Sequence, residues 1–301
     1  MRRLPRLSRL PRRMSTSLTD TWQCIMAEAE AQVSKFDAVE STNLTERPEW
    51  AAHSRSFGIR NFVRADVLAH DSLASALSTT IGNKLAANSA SDVVDYKAIL
   101  ESAFEADPKI CDAVAADIER FKVIDPACDG LLGVYLFYKG VHALACARVA
   151  HHYWVERGDT GRLIARLLQS EMADVFGVDI HPGCKLGRGV TIDHATGVTL
   201  GETCVIGDNV YIMHDVTLGA TGKGSAHDRH PKIGRGVFLG AKCTVLGNIR
   251  IGDGATIAAA ALVNKPVPDG YTAVGMPARL IAPKGPKGES TRSQLDLGRA
   301  K

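Results

Sequence analysis

Residues 191–198 read TIDHATGV and set a carboxylate, Asp193, directly before an imidazole, His194, among small side chains. Histidine is the residue most readily poised near neutral pH. A nearby carboxylate holds its tautomer and stabilises the imidazolium formed when it takes a proton. His194 is therefore the candidate general base. Its partner is either Asp193 or Asp179, fifteen residues earlier. Adjacent residues on an extended segment point to opposite sides, whereas a residue about one structural repeat away lies directly beneath, which favours Asp179. The competing reading is an exposed polar loop without chemistry. A second glycine-rich stretch, GATGKGSAHDRHP over residues 219–231, brings Arg229 and His230.

Both stretches interrupt a six-residue rhythm that predicts the element holding them. Aliphatic residues fall at 180, 186 and 192, at 200, 206, 212 and 218, and at 233, 239, 245, 251, 257 and 263. Two residues before each sits a smaller or branched apolar residue, among them Val178, Cys184, Val190, Cys204, Val210, Val216, Val237, Cys243, Ile249 and Ala255. A short fixed period marks a solenoid, in which each repeat buries its face on its neighbours. At about 3.3 Å per residue, six residues make one flat face and a corner. Three faces close a triangular coil of about eighteen residues, and thirteen beats predict about four coils. A stacked wall cannot absorb extra residues. The eight-residue step from Ile192 to Leu200 and the fifteen-residue step from Leu218 to Ile233 must therefore leave it as loops, the usual seat of chemistry on a rigid scaffold.

From residue 17 to residue 177 the apolar spacing is helical instead, as in Trp22, Ile25, Met26, Ala29 and Val33, and in Leu163, Ile164, Leu167, Leu168, Met172, Val175 and Phe176. The run GVYLFYKGVHALACARVAHHYW between them also reads as helix. The predicted organisation is a helical domain over 17–177 and a solenoid over 178–283. A charged, apolar-poor and disordered tail follows over 284–301. Six of the first fourteen residues are arginine and none is acidic, so the remainder of this +3 chain carries a net −3. That excludes the basic face a nucleic-acid binder needs. The arm over 1–16 is either an organelle transit segment, for mitochondrion or plastid, or a loose extension ahead of Met14 in a cytoplasmic protein. The longest uncharged apolar run, GLLGVYLFY, falls well short of the roughly 18 residues of a membrane span. Seven cysteines without a C-x-x-C pair argue against a disulfide frame or zinc knuckle, and Cys184, Cys204 and Cys243 fit the solenoid wall.

The runs VDIHPGCKLGRGVTIDHATGVTLGE, VTLGATGKGSAHDRHPKIG, LGNIRIG and AVGMPARLI, with DPACDG and FYKGVHALACARVAHHYW in the helical half, resemble the serine O-acetyltransferase family over residues 115–283. The resemblance implies a left-handed parallel β-helix and transfer of acetyl from acetyl-CoA to the L-serine hydroxyl, giving O-acetylserine for cysteine biosynthesis. It implies His194 as base with Asp179 supporting it, and a serine pocket of Asp125, Asp193, Arg229 and His230. The chemistry agrees: two anions suit the ammonium of an amino acid, and a planar guanidinium suits its carboxylate. For the acetyl-CoA groove it implies the small residues Ala241 and Ala259 with Gly219 and Thr221 beside them. Lys223 and Arg279 are its candidate phosphate contacts. No metal is expected, and the assembly implied is a homotrimer or a dimer of trimers.

Three departures from the family pattern stand out. Ala220 replaces a common glycine in GATGK, the second loop has one extra residue before DRHP, and the chain ends in LGRAK rather than isoleucine. The last argues against a complex with O-acetylserine sulfhydrylase. The rivals are an acetyltransferase for sugar or antibiotic hydroxyls, a zinc carbonic anhydrase with three converging histidines, and a non-catalytic scaffold. His181 reads as a corner residue, His214 as facing the wall, and His151 and His152 as helix packing or surface. His227 has no motif behind it.

Overall fold

A computed structural model describes residues 17–41, 58–89, 93–222 and 227–283. The arm expected over 1–16, the tail expected over 284–301 and Lys223 lie outside the described residues. Helical periodicity in the first half becomes α1 (Leu18–Ser41), α2 (Ile59–Val63, running on as a π turn over Arg64–Leu68), α3 (Leu73–Asn88), α4 (Tyr96–Ala106), α5 (Lys109–Ile124), α6 (Leu131–Phe137), α7 (Lys139–Glu156) and α8 (Gly158–Phe176). Some of their starts, those of α1, α3 and α4, are capped by a side chain that satisfies a free N–H of the first turn. Ser72 Oγ accepts from Ser75 N at 3.2 Å and Asp95 Oδ1 from Ala98 N at 2.9 Å. Glu28 of α1 caps α6 from a distance, its Oε2 accepting from Leu132 N at 2.7 Å. No helix among the described residues is long and apolar enough to cross a membrane.

The run GVYLFYKGVHALACARVAHHYW is not one helix. It breaks at Tyr138, which has extended backbone (φ −83°, ψ 96°) between α6 and α7. Apolar spacing continues across the break, so the pattern does not reveal it. The extended backbone carries the Tyr138 hydroxyl to Asp125 and sets its ring edge-on against Phe121, with centroids 5.0 Å apart.

Gly177 ends α8 in the left-handed region (φ 69°), a conformation glycine adopts without Cβ strain, and passes the chain to the first strand. From there three parallel faces rise in coils. The first coil is β1 (Val178–Ile180), β2 (Lys185–Leu186) and β3 (Thr191–Ile192), and the second is β4 (Val198–Leu200), β5 (Val205–Ile206) and β6 (Tyr211–Ile212). The third is β7 (Thr217–Gly219), β8 (Lys232–Ile233) and β9 (Phe238–Leu239), and the fourth is β10 (Thr244–Leu246), β11 (Arg250–Ile251) and β12 (Thr256–Ile257). A fifth coil of β13 (Leu262–Val263), a bridge at Val267 and β14 (Thr272–Val274) is closed by the antiparallel β15 (Arg279–Ile281). Face A stacks β1, β4, β7, β10 and β13; face B stacks β2, β5, β8 and β11; face C stacks β3, β6, β9, β12, β14 and β15.

The inward aliphatics of the predicted rhythm form the buried wall, with Cys184, Cys204 and Cys243 between them. The fifth coil exceeds the four expected. Pro266 and Pro268 shorten the step after Val263, and the hexad loses its count there.

The helices grip the first coil through a buried ion pair. Arg148 of α7 donates through Nε and Nη2 to Asp117 of α5 at 2.8–3.1 Å and through Nη1 and Nη2 to the carbonyls of Leu186 and Gly187. Asp117 also accepts from Val190 N at 2.8 Å. Burial pushes the Asp117 carboxyl up to about 6, against the Arg148 guanidinium that favours its charge. Nearby, Gly140 at the start of α7 lies so close to β3 that a Cβ would overlap the Ile192 carbonyl.

Candidate active site

The first loop leaves the wall at the edge between faces C and A. Asp193 N donates to Ile212 O at 2.8 Å, and Gly197 N to Gly177 O at 2.8 Å, so both ends are stapled to adjacent turns of chain. Between them His194 and Ala195 are both left-handed (φ 58° and 60°). This turns Ala195 fully into the wall and His194 outward, its side chain 70% exposed. The extended geometry assumed from sequence therefore does not hold, and adjacent side chains are not forced apart. The His194 Nε2 lies 3.7 Å from Asp193 Oδ2. Asp179, on β1 one coil below, accepts from Gln169 Nε2 of α8 at 2.7 Å. His214 stacks above His194 at the same corner, edge to face with centroids 5.6 Å apart. Lys139 Nζ donates to Thr196 Oγ1 at 2.5 Å, tying α7 to the loop.

Two tyrosines hold the two candidate substrate carboxylates. Tyr211 donates to Asp193 Oδ2 at 2.7 Å and Tyr138 to Asp125 Oδ2 at 3.2 Å, while Asp125 Oδ1 accepts from Ala127 N at 2.8 Å. Burial first, and Asp125 second, push the Tyr138 phenol up to about 12. Burial, then Asp193, raise that of Tyr211, with smaller contributions from Asp125 and Tyr138, so these four residues share one field. Asp125, Asp193 and His194 are thus gathered at one edge.

Arg229 and His230 are elsewhere. Their loop joins β7 of face A to β8 of face B, at the opposite edge of face A. Thr203 organises it: its Oγ1 accepts from Arg229 N and His230 N at 3.1 Å, and its backbone N donates to His230 Nδ1 at 3.2 Å. With Nδ1 an acceptor, the ring proton sits on Nε2. Burial and then the Arg229 charge lower the His230 pKa, which fits a neutral ring. Gly201 lies under the ring, which a Cβ there would overlap. Arg229 Nη2 pairs with Glu202 Oε2 at 2.8 Å, and this bond holds the Glu202 carboxyl below its usual range. A face of about six residues separates the two edges by on the order of 20 Å.

The groove residues divide in the same way. Ala241 and Ala259 stack above His194 and His214 at the C–A edge, as shown by Lys242 N donating to His214 O at 3.0 Å and Ala260 N to Ala241 O at 2.8 Å. Arg279 is exposed on β15, while Gly219 and Thr221 lie at the edge of Arg229. His181 Nδ1 accepts from Gly183 N at a corner, and His151 Nδ1 lies 2.7 Å from Pro182 O, both structural. His152 is buried on α7, and His227 is exposed. Sequence reading missed Tyr138, Tyr211, Gln169, Thr203 and Glu202. The one available signal was Tyr211, an outward aromatic about one coil after His194.

The helical half matches a family model described as "Serine acetyltransferase, N-terminal" over residues 49–146. The solenoid matches "Hexapeptide repeat of succinyl-transferase" over 178–213 and "Bacterial transferase hexapeptide (six repeats)" over 230–265. The serine acetyltransferase of Salmonella typhimurium is 44% identical over 239 residues, 79% of this chain and 84% of that one. Among solved structures, soybean serine acetyltransferase complexed with serine is 40% identical with a TM-score of 0.75, covering 89% of this chain and 100% of that one. A serine acetyltransferase in complex with CoA is 35% identical with a TM-score of 0.74, covering 88% and 100%.

Proposed function

The chain belongs to the serine acetyltransferase family, and from that premise we propose that it moves acetyl from acetyl-CoA to the L-serine hydroxyl with His194 as general base. The observation that carries this reading is an outward imidazole on a rigidly stapled loop, flanked at one edge by Asp193 and Asp125. Serine binds with its ammonium toward those two carboxylates and its carboxylate toward Arg229. Its hydroxyl then faces His194. The imidazole takes the hydroxyl proton as the oxygen attacks the thioester carbonyl. Collapse of the tetrahedral intermediate breaks the C–S bond, and the imidazolium returns the proton to the CoA thiolate, so no acyl-enzyme forms. General-base assistance of this kind contributes about 10²–10⁴-fold in rate. Backbone N–H groups of the GATG segment supply the oxyanion contacts. Asp179, held by Gln169, supports the ring from below. Ala241 and Ala259 leave room for the pantetheine arm along the edge above His194, with Gly219 and Thr221 contributed from the other edge. Arg279 and Lys223 are the phosphate contacts. The product O-acetylserine feeds cysteine synthesis.

The anionic half and the cationic half sit at opposite edges of face A, so one chain does not close around a molecule as small as serine. The site is completed between adjacent copies, in a homotrimer or a pair of trimers. Thiol release from acetyl-CoA with a panel of hydroxyl acceptors tests the reaction. Serine is expected to be the best acceptor and His194→Ala to abolish its use; a flat response to serine overturns the reading. Mixing His194→Ala with Arg229→Ala chains tests the assembly: mixed oligomers are expected to recover part of the activity that neither parent has, whereas no recovery refutes a shared site.

A further inference from the structure

The carboxylates that face the substrate ammonium do not hold themselves in place. Asp193 begins a loop that turns immediately into the left-handed region, and Asp125 follows the last residue of α5 in extended backbone (φ −100°, ψ 108°). Each reaches the site from the end of an element; Ala127 N holds Asp125 through Oδ1 only, which leaves Oδ2 to a second partner. We infer that Tyr138 and Tyr211 are positioning residues for the substrate ammonium, each using its hydroxyl to fix one aspartate at the angle that lets both carboxylates meet the same cation. This inference rests on the serine reading above and concerns two residues to which the sequence motifs assign no role.

A phenol suits the task. It donates one hydrogen bond and leaves the carboxylate its full charge, whereas a lysine or arginine in the same place would cancel the charge that the ammonium needs. Tyr211 spends its proton on Asp193 Oδ2, and Tyr138 spends its own on Asp125 Oδ2. The rings are themselves locked. Tyr211 stacks on Phe238 of the next coil, with centroids 5.2 Å apart and planes 15° apart, and Tyr138 stands edge-on to Phe121 at 5.0 Å. Rigid wall and rigid helix thus transmit their positions to the carboxylates through a ring and one hydrogen bond each. The break between α6 and α7 at Tyr138 acquires a purpose, because a continuous helix would carry this ring away from Asp125. Both phenols stay protonated across the neutral range, Tyr138 at about 12 through burial and Asp125 and Tyr211 raised through burial and Asp193, so each remains a donor.

Tyr138→Phe and Tyr211→Phe keep the rings and remove only the hydroxyls. In steady-state assays of the full chain, each is expected to raise KM for serine by up to about 10- to 150-fold, the range for one hydrogen bond to a charged group. The double variant should raise it further. kcat should stay within about two-fold and KM for acetyl-CoA should be unchanged, while Tm falls by a few degrees as each folded-state bond is lost. A merely structural role would move both KM values together. An unchanged KM for serine in Tyr211→Phe, or a fall in kcat with KM for serine unaltered, overturns the inference, and Tyr211→Phe alone decides should Tyr138→Phe fail to fold. Failure of the broader reading looks different: the unsubstituted protein itself would not use serine.

Discussion

Gly140→Ala tests whether the helical half sets the position of His194, the proposed base. Gly140 is the second residue of α7, and a Cβ there would overlap the carbonyl of Ile192, with the Ile192 carbonyl carbon at 3.0 Å and its Cβ at 3.2 Å. All three atoms belong to a stapled strand end, so no flexible side chain can swing aside. Either α7 or the end of β3 must shift by roughly 1 Å, and Asp193 and His194 follow Ile192 directly. Overpacking of this kind costs about 1–3 kcal/mol, and a misplacement of about 1 Å costs up to about 10²-fold in rate. Gly133 in α6 is the internal control, because its nearest neighbour would be Asp129 Oδ1 at 3.5 Å, an ordinary contact. There the same substitution should be neutral, or gain up to about 1 kcal/mol from helix propensity. Tm should therefore fall for Gly140→Ala and hold or rise for Gly133→Ala, with the loss in kcat/KM confined to Gly140→Ala. If Gly140→Ala matched Gly133→Ala in stability and activity, the claim that α7 fixes the catalytic loop would fail.

Arg148→Met leaves the fully buried Asp117 without its cation and should cost about 3–5 kcal/mol in urea unfolding, with much of the loss recovered when Asp117→Leu is added; a cost under about 1 kcal/mol would show the pair to be solvated. His142 is buried with Nδ1 3.2 Å from the Lys84 ammonium and Nε2 2.6 Å from the Tyr135 carbonyl, and burial with the Lys84 charge lowers its pKa to about 3. Because its pKa is depressed from 6.5 in the fold, its contribution is present above about 6.5 and is lost as pH falls toward 3. Between pH 6.5 and pH 5 the loss is about 2 kcal/mol, read as a pH-dependent Tm that flattens over this range in His142→Gln. Asp179→Asn should lower kcat by on the order of 10²-fold with KM for serine little changed, whereas Asp193→Asn should raise KM for serine. The reverse pattern in steady-state kinetics would make Asp193, not Asp179, the partner of the base.

The solenoid was readable because each hexad must send one aliphatic inward, and that demand leaves a visible count in the chain. The count failed only where Pro266 and Pro268 altered the step, which hid the fifth coil. The same count exposed both loops, and with them Asp193, His194, Arg229 and His230. The helical half was less legible. Apolar spacing passes through Tyr138 as though the helix continued, since a break changes the backbone angles of one residue and not the period of its neighbours. Gln169 looks like any polar residue on a helix surface until the fold sets Asp179 beside it. The contact between Asp193 and His194 was misjudged for a local reason: a non-glycine residue with positive φ leaves no mark in the sequence.

The placement of Asp193 and Arg229 at the two edges of one face would fix how faults spread through the proposed assembly. In the closed ring of three proposed above, every subunit would lend half a site to one neighbour and borrow the other half from the next. A single chain damaged at both edges then silences two of the three centres, so a minority of defective copies depresses output well beyond its share of the population.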